Sequence, residues 1–184
     1  MTALLTLYDR LTAALNKIAG PALPTLARFV FAATLLIYFW KSASTKLGDG
    51  VFGFLKPGIG AYGQMFPKAL EAAGYNTSEL SFFHWLIAVA GTWAEFILPL
   101  LIVIGLFTRL ASLGMIGFVI VQSLTDLYGH GGIEHAATVG AWFDRLSDGA
   151  ILDQRAFWML ALLTLVLKGA GPLSVDKILS IRRA

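Results

Sequence analysis

The stretch FFHWLIAVAGTWAEFILPLLIVIGLFTRL, Phe82 to Leu110, decides how this chain is read. Its first part, Phe82 to Phe107, is long enough to cross a bilayer, which takes roughly 17–25 mostly apolar residues rising about 1.5 Å each. Gly105 to Arg109 forms a tight turn, and a second apolar run, Leu110 to Tyr128, follows at once. Two spans joined so closely form an antiparallel hairpin. One carboxylate, Glu95, interrupts the first run. The helical rise puts it about 20 Å from Phe82 and about 21 Å from Arg109, near mid-membrane. A lone carboxylate at that depth is expensive, so it must be neutral, paired or beside water.

Working outward, two further spans appear, from about Thr25 to Thr45 and from Ala156 to about Leu173. The last is the shortest, and Arg155 and Lys168 can snorkel from it towards headgroups. The composition agrees. Of 184 residues 57% are hydrophobic and 14% charged, with a mean hydropathy of +0.73, whereas soluble domains carry roughly a quarter charged residues. The expected fold is therefore an all-α membrane protein, a four-helix transmembrane bundle. The net charge of +3 does not point to nucleic acid, because the basic residues fall at the edges of apolar stretches rather than in a stripe. With no cysteine, disulfides, iron–sulfur ligation and thiol catalysis by this chain are excluded.

Leu4, Leu7, Leu11, Leu15 and Ile18 recur at helical spacing, and Gly20 and Pro21 are expected to stop that helix. Residues 1–24 thus read as an amphipathic helix on the membrane surface, and 25–184 as the transmembrane domain. No cleavable signal peptide is read there, since residues 1–20 lack a long apolar run. Two long loops separate the spans. Residues 47–81 interleave glycines with Phe52, Phe54, Tyr62 and Phe66, and a short helix is expected from Phe66 to Ala73. Residues 129–155 are similar, with a short helix expected from Ile133 to Phe143. Loops this long usually have a job, here a lid over one end of the bundle. Arg10, Lys17, Arg28, Arg109, Lys177, Arg182 and Arg183 mark the short segments, while Asp49, Glu71, Glu79, Glu134 and Asp144 lie in the long loops with Lys56 and Lys68. The positive-inside rule places both termini in the cytoplasm and the long loops outside.

The chemistry then rests on a few polar residues. Lys41 lies about 20 Å along the first span from Arg28, at a depth like that of Glu95, so a Lys41–Glu95 pair is the simplest account of both. Such a pair either serves a site or only fixes helix register. Lys46, one turn outward, and Gln122, Ser123 and Asp126 on the third span extend the polar set. The expected pocket, in the outer half of the bundle, gathers Lys41, Lys46, Glu95, Gln122 and Asp126. Trp85 and Trp158 fall at interfacial depth, where anchoring is the default. His130 and His135 are the candidates a metal would use, with Glu134 and Asp126 nearby, but Gly131 and Gly132 interrupt any helix between them. That spacing favours polar loop contacts over a fixed ligand cage, so no metal is assigned. Haem ligation by His84 lacks a second histidine within a span. No phosphate loop, dinucleotide fingerprint, HExxH or nucleophile elbow is present, and the catalytic residues are unknown.

The run Ala94-Glu95-Phe96-Ile97-Leu98-Pro99 through Gly105-Leu106-Phe107-Thr108-Arg109-Leu110-Ala111 resembles the signature of the DoxX family of bacterial and archaeal membrane proteins. Arg28 through Lys46-Leu47 resembles that family's first span, and Lys168-Gly169-Ala170-Gly171-Pro172-Leu173-Ser174-Val175-Asp176 the ending of its last. Lys41 stands where the family commonly has a small residue. The resemblance implies a four-helix protein of the prokaryotic inner membrane, with Glu95, Lys46 and Arg109 as the residues to watch. It also implies Ser174 to Asp176 as a helix cap or anchor. Family members are linked with membrane redox systems that use quinone, and others with metal-handling peptide clusters. The function expected is a membrane subunit of a quinone-linked redox system. The alternative is a non-catalytic anchor or assembly subunit for a soluble redox or metal-handling partner. A proton-coupled transporter is disfavoured, as no inverted repeat or broken span is seen.

Overall fold

The computed structural model describes residues 2–181; Arg182 and Arg183, used above to orient the chain, lie outside the described residues. The chain begins with α1 (Thr2–Phe31), which passes through a π-helical turn at Ala32–Leu36 into α2 (Ile37–Ser44), one rod from Thr2 to Ser44. The expected stop at Gly20–Pro21 does not occur: Pro21 and Pro24 both lie inside α1. A proline removes one helical hydrogen bond and crowds the preceding turn. Residues ahead of Pro21 are almost all exposed, so no packing competes to turn the chain aside.

The first long loop holds α3 (Ile59–Met65) and α4 (Pro67–Ala72), the latter close to where the sequence suggests a short helix. Next come α5 (Phe82–Ile104) and α6 (Thr108–Leu124), which a π-helical turn extends to Gly129. In the second long loop the helix expected over 133–143 shrinks to one turn, α7 (Ala136–Val139), because Gly140 takes φ 74° and ends it. A π-helical turn at Ala150–Gln154 leads into α8 (Arg155–Lys168), and α9 (Val175–Ile181) is the last element among the described residues. The fourth span therefore runs Ala150–Lys168, displaced towards the N-terminus from the expected 156–173. Gly169 and Gly171, at φ 82° and 78°, turn the chain before Leu173 is reached.

Among the described residues, four helical segments are long and apolar enough to cross a membrane: Thr2–Ser44, Phe82–Ile104, Thr108–Gly129 and Ala150–Lys168. The protein is an all-helical membrane protein. The α1–α2 rod packs on α5 and α8, and α6 packs on the same two helices, so the spans close into a ring. Phe31, Leu35 and Phe39 on the rod meet Ala111, Met115 and Val119 on α6, with Ile102, Leu162 and Leu165 between them. Both triplets step by four residues, one helical turn, which brings a single stripe of each helix inward. Phe29, Ile37, Ile97, Leu100, Leu113, Ile120 and Leu163 point outward, as a lipid-facing surface requires. A smaller core of Ala61, Tyr62, Leu70 and Ala88 seats α3 and α4 on the outer part of α5.

The end of the bundle near the α5–α6 turn is locked by charge. Arg28 donates from Nε to the Ile102 carbonyl (3.0 Å), from Nη2 to Val103 (2.5 Å), and from Nη1 to Ala170 (2.9 Å) and Leu173 (2.5 Å). Arg109 donates to the Val166 and Leu167 carbonyls at the end of α8, at 2.7 and 2.9 Å. These carbonyls belong to helix ends, where the ladder has run out of donors and the helix dipole is negative. Asp176 does the converse. Its carboxylate accepts from the backbone N–H of Phe107 (2.8 Å) and Thr108 (3.0 Å) at the start of α6. The expected anchor at Ser174–Asp176 is thus a cap on the third span as well as on the last helix, where the Lys177 N–H donates to Ser174 Oγ. Gly105 sits amid this lock at φ 72°, and a Cβ there would stand 2.5 Å from Ser174 Cβ and 3.0 Å from the Arg28 guanidinium carbon.

Because hydrogen bonds to a charged group contribute about 1.5–3 kcal/mol each, Arg28→Met should destabilise the bundle by roughly 3 kcal/mol or more. Asp176→Ala, which removes a cap, should cost about 1 kcal/mol. Thermal unfolding in detergent measures both, and equal, small losses would show that the lock does not hold this end together.

Candidate functional site

The second charged centre lies further along the spans. Glu95 is thirteen residues into α5 and nine from its end at Ile104, about 20 Å and about 14 Å by the helical rise. Its carboxylate is buried, 3% exposed, and so is its partner, Lys46. That partner is not the expected Lys41. Lys46 follows the end of α2, and its side chain folds back so that Nζ reaches both carboxylate oxygens, at 3.0 and 2.8 Å. The same ammonium donates to Ser42 Oγ (2.6 Å) and to the Ser42 carbonyl (3.2 Å), while Ser42 Oγ donates to Glu95 Oε1 (3.1 Å). Helical phase explains the exchange. Ser42 and Lys46 are four apart and share a face, whereas Lys41 is rotated by about 100° from Ser42 and points outward, exposed. Trp40 ties the two helices beside the pair, its indole N–H donating to the Phe96 carbonyl at 3.1 Å.

Pro99, buried in α5, lies one turn from Glu95. It has no N–H, so the Glu95 carbonyl has no helical partner, and the backbone as well as the side chain of Glu95 is polar at this depth.

The pair forms part of the wall of a cleft of about 690 Å³ between α2, α5 and α6. Gln122 and Asp126 line it as well; Lys41 and Arg109 do not. Arg109 belongs to the lock at the other end, drawn there by the carbonyls of α8. Apolar side chains, among them Ile87, Leu98, Phe118 and Val121, supply much of the remaining wall. Tyr38, Ser42, Gln64 and His130 also face the cleft and were not in the expected set. Ser42 was legible, since it lies one turn before Lys46 on the same face; Gln64 reaches the site only because α3 folds over it.

Asp126 is held by a residue expected to snorkel. Arg155 instead turns inward, 7% exposed, pairs with the Asp126 carboxylate and donates to Ser123 Oγ at 2.7 Å. Its guanidinium lies over the Trp158 ring, 5.8 Å from the centroid. Trp158 packs on Phe39 and Tyr38 inside the bundle rather than standing as an interfacial anchor. An inward carboxylate was waiting on the neighbouring span, and pairing with it keeps both groups from being left alone in an apolar setting. Two π-helical turns flank this second pair, at Thr125–Gly129 and Ala150–Gln154, a distortion frequent at functional sites. The three histidines act singly. His130 shares a hydrogen with the Gln64 carbonyl (3.1 Å), His135 precedes α7 and is exposed, and His84 completes a capping box with Ser81 at the start of α5. Among the described residues no three His, Asp or Glu side chains gather as a metal-binding group.

A ring of four membrane-spanning helices, locked by arginines at one end and carrying a buried ion pair beside a cleft nearer the other, is the class of protein that these features define. Residues 23–125, more than half of the chain, match the DoxX family, and the chain belongs to that family. The matched stretch takes in Arg28, Lys46, Glu95, Arg109 and Gln122, while Asp126, Arg155 and Asp176 follow it. No curated protein and no solved structure matches the chain.

Removing one member of a buried pair leaves an uncompensated charge, at roughly 3–5 kcal/mol. Lys46→Met should therefore lower stability by that order. Lys46→Met combined with Glu95→Leu should recover most of the loss, because an apolar pair replaces a charged one. Unfolding in detergent decides this, and a double variant no more stable than the single one would mean that the two residues are not one unit.

Proposed function

We propose that this chain is the membrane subunit of a quinone-linked redox system and that the cleft beside Glu95 receives the quinone head group. The observation that carries this reading is the Lys46–Glu95 pair itself, two buried charges set in the wall of an otherwise largely apolar cleft. A purely structural pair would sit in packed core. Here the pair borders open space, where Glu95 can exchange a proton with a quinone oxygen and the ammonium can turn to that oxygen the N–H it now gives to the Ser42 carbonyl. Reducing a quinone takes two electrons and two protons. The electrons are assigned to a soluble redox partner, as the family resemblance implies, and this chain supplies the binding site and a proton-exchanging group.

We also place the protein in a prokaryotic inner membrane with both termini cytoplasmic and the first and second outer loops outside, on the distribution of lysine and arginine. The stripe of Leu4, Leu7, Leu11 and Leu15, exposed in the structure, then lies at the cytoplasmic end of the first rod. Since the chain has no cysteine, single-cysteine variants report the orientation cleanly. Ser78→Cys should react with an impermeant maleimide in intact spheroplasts and Ser180→Cys only after lysis; the reverse pattern overturns the assignment.

The ligand is tested by solvent extraction of the purified protein. The wild type should retain quinone, and Glu95→Gln should lose it by about tenfold or more, the equivalent of roughly 1.4 kcal/mol in affinity. A wild type free of quinone, which co-purifies with a soluble protein only while residues 50–75 are intact, would favour the anchoring role instead.

A further inference from the structure

The cleft has two ways out, and they are built differently. Towards the outer loops it is roofed. Gln64 at the end of α3 donates to Thr45 Oγ1 (3.0 Å) on one side, and its carbonyl meets the His130 ring (3.1 Å) on the other. Met65 presses down beside them, its Cε 2.7 Å from where a Cβ on Gly91 would stand. Between α5 and α6 the wall is low. Ala90 on α5 and Gly114 and Gly117 on α6 line the cleft and are exposed. A Cβ at Gly117 would meet nothing within 4 Å, and one at Gly114 would meet the end of the Leu98 side chain, 3.3 Å away. All three residues lie within membrane-spanning helices, so this opening faces acyl chains and not water.

Across the cleft stands a polar pair with one hand free. Gln122 Nε2 donates to the Tyr38 hydroxyl at 3.0 Å, and Gln122 Oε1 is buried without a partner. An amide can turn, and a phenol can donate as well as accept. When the side chain swings towards the cleft in this amide orientation, Oε1 can accept from a ligand O–H. Turned over, Oε1 accepts from Tyr38 and Nε2 is free to donate to a ligand carbonyl. Either way one arm remains for the ligand, and leaving it unmatched in a buried place is costly.

We propose that the ligand enters sideways from the bilayer, through the gap between α5 and α6 at Gly114 and Gly117, and that the Tyr38–Gln122 pair reads its head-group oxygen in both the carbonyl and the hydroxyl state. The proposal rests on the quinone reading of this cleft and adds the route and the reader. The ligand class follows: a lipid-soluble molecule with one flexible apolar tail, left in the gap against Ile87 and Val121, and a flat head whose oxygen can be C=O or O–H.

The test is equilibrium binding of a decyl-tailed benzoquinone and of its hydroquinone to the full chain in lipid nanodiscs. A size series at Gly117 probes the gap. Gly117→Ala should bind as the wild type does, since glycine-to-alanine in a helix is tolerated, and Gly117→Leu and Gly117→Phe should weaken both ligands progressively, to about tenfold or beyond. Gln122→Leu should weaken both forms alike. Wild-type affinity throughout the Gly117 series overturns the route, and a Gln122→Leu variant that loses neither form, or only one, overturns the reader. Leu at Gly117 carries the test should the Phe variant not fold. If the wild type binds and Glu95→Gln abolishes binding while the Gly117 and Gln122 variants bind normally, the quinone site stands and this proposal falls. If the wild type binds neither form, the quinone reading fails and takes this one with it.

Discussion

Two opposite charges, Lys46 and Glu95, meet in a part of the bundle where neither is tolerated alone. Desolvating them is expensive, and their attraction repays that only when the geometry is good and the remaining hydrogen-bonding capacity is used. Ser42 supplies that use: its hydroxyl and its carbonyl both take the ammonium, and the hydroxyl also donates to the carboxylate. The pairing sets the register of α2 against α5, and with it the position of every side chain on those faces. Tyr38 borders the cleft because Ser42, one turn along, is bound to Glu95. The first long loop starts at Lys46, just past α2, and α3 folds back so that Gln64 and Met65 line the cleft.

The two ends of the molecule do different work. At the α5–α6 turn, Arg28, Arg109 and Asp176 satisfy backbone groups that the helix ends leave bare. In lipid such groups have no water to turn to, so this end is fixed. Around the cleft there is open space, about 690 Å³. Small residues on α5 and α6 hold the helices close without filling the space between them, and the second ion pair, Asp126 with Arg155, braces the far wall. The stretch from Glu95 to Arg109 accordingly divides: Gly105 to Arg109 belongs to the lock and Glu95 to the cleft.

Much of the fold was legible because a bilayer imposes simple rules. A run of apolar residues of the right length must be a helix, and a short basic turn between two such runs must be a hairpin. Boundaries were less legible where they depend on packing. The helix did not stop at Pro21, since a proline alone does not end a helix unless something turns the chain. The fourth span shifted because glycines at positive φ, not hydropathy, end it. Depth along the helix singled out Glu95 as a residue needing company, but depth alone pointed to Lys41. Lys46 starts one turn further out and reaches back to Glu95, and only rotation about the axis tells which lysine faces α5.

Composition and periodicity alone determined that this is a helical membrane protein, how many spans it has, and that a carboxylate lies among them needing a partner. Those properties depend on one residue or one run at a time, and the solvent judges each separately. The tertiary structure decided which lysine answers Glu95, that Arg109 caps a helix and Arg155 turns inward, and that a loop closes the cleft while two glycines leave its side open. Those are properties of facing surfaces, set by the rotation and register of helices against one another, and a linear sequence does not carry that angle.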